Sequence, residues 1–350
     1  MSFEIVHQLR KSLDNLRQEH NGYLLNCIPS PYDPRDYKYL HLIGTLAEEP
    51  VTPVDYREDL PPVFDQGPRG SCVACVSTWT LKAYEEIKQG DYPEGGLSTS
   101  FLYAMCKKND GIPFLEGTQP KVAVQILQKY GVCSEEVMPY SRLTELPAPL
   151  VPDIPEQAME AAAAFKIQTY AQLCSPYDIS RNHTIAAMRE ALKREGPFMI
   201  ALLVCENFVP DKNYRLPFPA GEIQGGHAVG IVGDLPDHQC FILRNSWGTG
   251  WGENGYAYLP YEWITRKTDT GWAVFEAWTT TDVTTSKPAA QIVLTSGINS
   301  MKVDGKRVML EEPIILSRAF ASRLPIRILA DKMGYKVDWQ GSKVIFSKKI

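Results

Sequence analysis

The sequence has no apolar run approaching the ~18–20 residues of a membrane span. Its first residues, Met1-Ser2-Phe3-Glu4-Ile5-Val6-His7, also lack the basic start and hydrophobic core of an export leader, so neither device is expected here. Basic clusters are missing as well. With 36 Lys and Arg against 41 Asp and Glu, the formal charge is −5, which offers nothing to attract nucleic acid or an anionic membrane. The eight cysteines, at 27, 72, 75, 106, 133, 174, 205 and 240, show no metal-ligand pairing. His7, His20, His41, His183 and His238 lie in charged or turn-like stretches and are expected at the surface, so no metal or cofactor is expected. Several cysteines lie in apolar runs, such as Cys205 after Ala201-Leu202-Leu203-Val204, and read as buried free thiols. A chain of 350 residues with 44% hydrophobic content does not need disulfides to make a core, and it exceeds one core, so two or three units are expected.

What the chain does contain is a thiol, an imidazole and an amide in a workable order. Cys72 closes the run Gln66-Gly67-Pro68-Arg69-Gly70-Ser71-Cys72 and heads an amphipathic stretch to Gly90, with Val76, Trp79, Ala83 and Ile87 at helical spacing. Its sulfur is therefore expected at a helix N-terminus, where the dipole favours a thiolate by about 0.3–1 kcal/mol; an imidazolium partner lowers a thiol pKa far more. His227 opens the apolar run Ala228-Val229-Gly230-Ile231-Val232, a buried strand that would hold its ring, and Gly225-Gly226 before it permit close backbone approach. Asn245 ends another short strand, Phe241-Ile242-Leu243, and its amide oxygen can accept the second ring N–H, with Trp247 shielding that bond from water. Gln66, six positions before the thiol, is expected to form an oxyanion hole with the Cys72 N–H. Cys75 is a rival nucleophile, but the distance from Gln66 favours Cys72 and the helical offset turns Cys75 inward. A Cys-x-x-Cys redox reading lacks the surrounding βαβ pattern.

Residues from about Pro53 to Trp278 resemble the papain-like, C1-type cysteine peptidases of bacterial type. Gln66, Cys72, His227 and Asn245 fall on the family's oxyanion glutamine, nucleophile, general base and orienting asparagine. The run from Asn245 through Trp247-Gly248-Thr249-Gly250-Trp251-Gly252 to Tyr256 reproduces the family's sequence after the asparagine. The resemblance implies a two-lobed α+β fold, a helical lobe with Cys72 and a β-rich lobe with His227 and Asn245, and a cleft that takes an extended peptide or protein substrate. Gly117, ahead of a helix carrying Val122, Ile126 and Leu127, is the candidate for a strand-like backbone contact to substrate, and Gly226 and Trp247 are further substrate-binding candidates. Two positions depart from papain: Arg69 replaces a cysteine, so the usual disulfide beside the site is missing, and Val73 replaces an aromatic. The implied activity is peptide-bond hydrolysis through a thioester. A peptide transferase or ligase, a leader-peptide peptidase and a non-catalytic peptide-binding protein on the same scaffold are the alternatives.

Four parts are expected along the chain. Residues 1–52 are an N-terminal extension, with Ile5, Leu9, Leu13 and Leu16 on one helical stripe and an extended, turn-rich segment over Ser30–Tyr37. Its position suggests a propeptide of a zymogen acting as intramolecular inhibitor, and Cys27 is a candidate to pair with Cys72 as a redox lock. Residues 53–278 are the peptidase, in which Thr184–Leu192 reads as a helix and Phe198–Val204 as a core strand. The threonine-rich stretch 279–290 reads as a linker. Residues 291–350 offer short strands, a hairpin signal at Asp304-Gly305 and a helix through Ile328–Met333, a small separate α+β unit. The run from Leu324 to Trp339 resembles the copper amine oxidase N-terminal-like, or stalk, domain of bacterial surface proteins, which implies a binding or spacing role toward a cell-surface or protein partner and an extracellular or cell-surface setting, without copper ligands.

Overall fold

The computed structural model describes residues 19–40 and 52–282, and beyond them five strands within 292–348. The chain divides into two compact units, Met1–Val283 and Thr284–Ile350.

The first unit begins with a small hairpin, β1 (Glu19–His20) and β2 (Tyr23–Leu24), joined by Asn21 and Gly22 at φ 51° and 87°. Asn-Gly suits a two-residue turn because both positions need positive φ. After β3 (Val54–Asp55), the stretch expected as one helix from Cys72 becomes α1 (Cys72–Val76), a π-helical turn (Ser77–Leu81) and α2 (Lys82–Gln89). The irregular turn coincides with hydroxyls that bond back to the preceding turn, Ser77 Oγ to the Val73 carbonyl at 2.7 Å and Thr78 Oγ1 to the Ala74 carbonyl at 2.8 Å. Gly90, at φ 82°, ends α2 as a left-handed cap. The rest of the helical lobe is α3 (Thr99–Asn109), capped by the Ser98 hydroxyl, α4 (Pro120–Lys129), α5 (Ser141–Thr144) and α6 (Glu156–Ala162).

A seven-stranded antiparallel sheet follows, built from β4 (Ile167–Cys174), β5 (Phe198–Cys205), β6 (Ile223–Leu235), β7 (Cys240–Arg244), β8 (Tyr256–Pro260) and β11 (Val274–Asp282) in the order β4-β11-β5-β6-β7-β8, with β3 on β6. Helices α7 (Thr184–Arg194) and α8 (Glu262–Thr265) and the short hairpin β9 (Lys267–Thr268) and β10 (Gly271–Trp272) complete the unit. Strand β5 is buried throughout because the sheet is covered on both faces. Met199, Ala201 and Leu203 join the core of the helical lobe, while Phe198, Ile200, Leu202 and Val204 join the core under α7.

Residues 279–282, expected as the start of a linker, are the end of β11 and pair with β4. Thr279 and Thr280 are buried there, and Thr280 Oγ1 donates to Glu85 at 2.8 Å, so a run poor in apolar residues is held by ladder and side-chain hydrogen bonds. In the second unit, β12 (Ile292–Thr295), β13 (Ser300–Val303), β14 (Lys306–Met309), β15 (Tyr335–Gln340) and β16 (Lys343–Lys348) form an antiparallel sheet in the order β14-β13-β12-β16-β15. Val303 lies opposite Lys306, the register that the hairpin signal between them requires. The helical stripe at 5–16 and the helix at 328–333 fall outside the described residues.

Candidate active site

Cys72 is the first residue of α1, which packs against the segment of β6 that carries His227. His227 Nε2 lies 2.7 Å from Asn245 Oδ1, while Nδ1 is buried without a hydrogen-bond partner among the described residues. The same Oδ1 accepts the Ser246 N–H at 2.8 Å, which identifies it as the amide oxygen, so Nε2 carries the proton and Nδ1 is the basic nitrogen. Trp247 stacks on the imidazole at 4.7 Å. Asn245 is held in turn by the glycine-rich loop behind it: its N–H donates to the Gly255 carbonyl at 2.9 Å, and Gly255, at φ 93°, sits where a Cβ would meet Val63 at 2.5 Å.

Gln66 reaches the site by pairing across the two lobes, its N–H donating to the Ser246 carbonyl at 2.9 Å. Ser246 Oγ donates to Gln66 Oε1 at 2.7 Å, which turns the amide NH2 toward the cleft. Ser246 was not singled out from sequence, because the residue after an asparagine carries no signal of its own. Cys75 is buried behind the nucleophile within 3.5 Å of Ser71 Oγ, and burial holds its thiol well above the usual range. All eight cysteines are buried free thiols.

The cleft is occupied by the chain's own N-terminal segment. Tyr23 stacks on Trp247 at 4.9 Å and donates to its carbonyl at 3.1 Å; the Leu24 carbonyl accepts from Gln66 Nε2 at 3.3 Å. Asn26 and Cys27 both direct their N–H groups at the Gly226 carbonyl, at 3.0 and 2.9 Å, and Ile28 donates to the Thr118 carbonyl at 3.0 Å. Leu25 and Cys27 are buried. Glycine is required where this backbone passes: a Cβ on Gly226 would lie 2.2 Å from the Cys27 carbonyl oxygen, and one on Gly117 would lie 2.0 Å from that of Asn26.

One expectation changes and two others gain detail. His20, expected at the surface, is buried against Trp247 at 5.7 Å and bonded to Gln224, because the Asn21-Gly22 turn folds it under the segment. Gly117 makes room for the N-terminal segment but does not hydrogen-bond to it. Its N–H goes to Tyr103 Oη and its carbonyl to Lys107 Nζ, both at 2.8 Å, and the acceptor is Thr118, one residue on. Finally, burial works against a thiolate–imidazolium pair in this closed state. Burial pushes the Cys72 thiol up to about 11, against backbone N–H groups of Ala228, Val73 and Cys72 that favour the thiolate, and burial lowers His227 to about 4 despite its bond to Asn245. Both shifts favour the neutral forms. Sequence reasoning missed the segment's course, although Asn21-Gly22 before the apolar Tyr23-Leu24-Leu25 is a hairpin signal.

A thiol at a helix start, an imidazole fixed by an amide, and a glutamine facing the cleft between a helical and a β-rich lobe define a cysteine peptidase of papain type. Comparison with known proteins agrees: residues 51–268 match the family model of the papain family cysteine proteases, and the chain belongs to that family. Residues 251–347 match the copper amine oxidase N-terminal domain, a match that begins inside the peptidase unit. Relatives include a peptidase C1-like protein of Acanthamoeba polyphaga mimivirus, 32% identical over 57% of this chain and 65% of its own length. A cathepsin B-like protein of Giardia intestinalis is 30% identical over 61% and 70%. The crystal structure of xylellain, a cysteine protease from Xylella fastidiosa, superimposes with a TM-score of 0.61 at 29% identity, covering 76% of this chain and 98% of that one.

Proposed function

We propose that the chain is a cysteine endopeptidase made as a latent zymogen, in which Cys72 is the nucleophile, His227 the general base, Asn245 its orienting partner and Gln66 an oxyanion donor. His227 Nδ1 takes the thiol proton, and the thiolate adds to the scissile carbonyl carbon. The carbonyl oxygen, now negative, is met by Gln66 Nε2–H and the Cys72 N–H. On collapse the C–N bond breaks, His227 returns the proton to the leaving amine, and a thioester remains. Water, deprotonated by the same imidazole, then releases the acid and the thiol.

The observation that carries the latency is that residues 24–28 use the groups a substrate needs: the Gln66 amide, the Gly226 carbonyl and the Thr118 carbonyl. The segment runs from Trp247 past Gly226 to Thr118. A substrate with its acyl half on Thr118 and its leaving half at Trp247 runs the other way, so the segment fills the cleft without offering a productive peptide bond. With water excluded, the dyad stays neutral.

The test is labelling by an epoxide thiol probe, with the modified residue identified by peptide mass spectrometry, in the full chain and in one trimmed near Pro53. Labelling at Cys72 only after trimming supports both nucleophile and latency. Equal labelling of both forms removes the inhibitory role, and labelling at Cys75, or nowhere, removes the mechanism.

A further inference from the structure

Arg69 stands where papain has a disulfide cysteine, and its side chain makes a different link. Arg69 Nε lies 2.7 Å from Glu116 Oε1 and Nη2 lies 3.4 Å from Oε2, with the two side chains only 3% and 8% exposed. One end of this pair reaches the oxyanion loop: the Arg69 carbonyl accepts from Gln66 Nε2 at 2.8 Å, and Glu116 Oε1 also accepts the Gly70 N–H at 3.0 Å. The other end reaches the backbone that holds an extended chain, since Glu116 is followed by Gly117 and Thr118. The two backbones touch at Gly70, where a Cβ would meet Glu116 Cγ at 2.8 Å and the Gly117 nitrogen at 3.1 Å. Tyr103 joins the same link, accepting the Gly117 N–H while its ring lies 6.0 Å from the Arg69 guanidinium.

A buried ion pair adds little net stability over a well-packed apolar pair, because both charges give up their water. Its distinctive property is direction: a planar guanidinium on a carboxylate fixes orientation at both ends, which packed methyl groups do not. We propose that Arg69 and Glu116 are positioning residues that hold the Gln66 oxyanion amide in register with the Thr118 carbonyl, so that an acyl chain bound along Thr118 brings its scissile carbonyl under the Gln66 N–H. Neither side chain touches the reacting atoms. The inference rests on the cysteine-peptidase reading of the site.

The experiment is a double-mutant cycle on the full chain after its N-terminal segment has been released in place by limited proteolysis. Glu116→Gln, Gln66→Ala and the double variant are compared in kcat and KM on an extended peptide and in affinity for a peptide aldehyde, which adds to the thiol without turnover. Glu116→Gln is expected to lower kcat about tenfold with KM within about twofold, and to weaken the aldehyde in proportion. In the Gln66→Ala background the same change is expected to cost less than twofold in both readouts. Arg69 also donates to the Leu143, Leu146 and Leu150 carbonyls, so the second variant leaves it in place: Glu116→Asp keeps the charge, shortens the reach, guards against a fold lost to a lone buried charge, and is expected to show the same dependence on Gln66. Equal losses in both backgrounds, or a loss confined to KM, overturn the positioning role while leaving the peptidase reading intact. A chain that neither turns over nor adds the aldehyde overturns the peptidase reading and this inference with it.

Discussion

Alkylation of Cys72 reports its thiolate, and burial in the closed chain places that ionisation near 11. A thiol raised above its ordinary value is protonated at neutral pH, so the rate of alkylation of the full chain is expected to climb with pH through 9 and beyond. Release of the segment admits water and lets His227 take the proton, and the inflection is expected to fall below pH 7. An inflection at the same pH in both forms would show that the segment does not hold the pair neutral. In the proposed mechanism Gln66 acts on the transition state alone, and Gln66→Ala is expected to lower kcat of the released enzyme by about 10²–10³ with KM little changed, the cost of one oxyanion donor. Cys72, His227, Asn245 and Gln66 could be singled out in the sequence because each proposed role demands one residue type in a recognisable setting. Ser246, Thr118 and His20 were not, since a hydroxyl, a backbone carbonyl and a buried imidazole acquire their roles only from neighbours far along the chain.

The β1–β2 hairpin and the segment after it are held in the cleft largely by backbone bonds to β6 and to the residues before α4. Gly226 is a point of close approach whose backbone is not in the left-handed region, unlike Gly117, so Gly226→Ala is tolerated by β6 itself while placing a methyl group 2.2 Å from the Cys27 carbonyl. The full chain bearing this change is expected to label at Cys72 with a small thiol probe at a rate approaching that of the trimmed protein. Labelling that stays at the full-chain level would show that the segment shifts without leaving. Helices α1, α4 and α7 and strands β5, β6 and β7 follow the apolar spacing of the sequence closely. The π-helical turn between α1 and α2 does not, because hydroxyl bonds from Ser77 and Thr78 to the preceding turn are invisible to apolar periodicity.

The peptidase unit extends through β11 to Asp282, not to Trp278. A chain ending at Val283 is expected to keep the melting temperature and the peptidase activity of its unit. Ending at Trp278 removes the pairing of residues 279–282 with β4 and the bond from Thr280 to Glu85, and is expected to cost about 1–3 kcal/mol for the lost buried bond alone, read by urea denaturation. Equal stability of the two would place residues 279–282 outside the unit. The sequence by itself determined the family and the cysteine-peptidase class, because a cysteine, a histidine, an asparagine and the glycine-rich run after it are local patterns tied to reactivity. Only the tertiary structure decided that burial works against charging Cys72 and His227, that the Thr118 carbonyl accepts from the N-terminal segment, that Arg69 pairs with Glu116, and that four threonine-region residues belong to the sheet. Each of these depends on desolvation or on contacts between residues distant in sequence, and neither quantity is written in local composition or spacing.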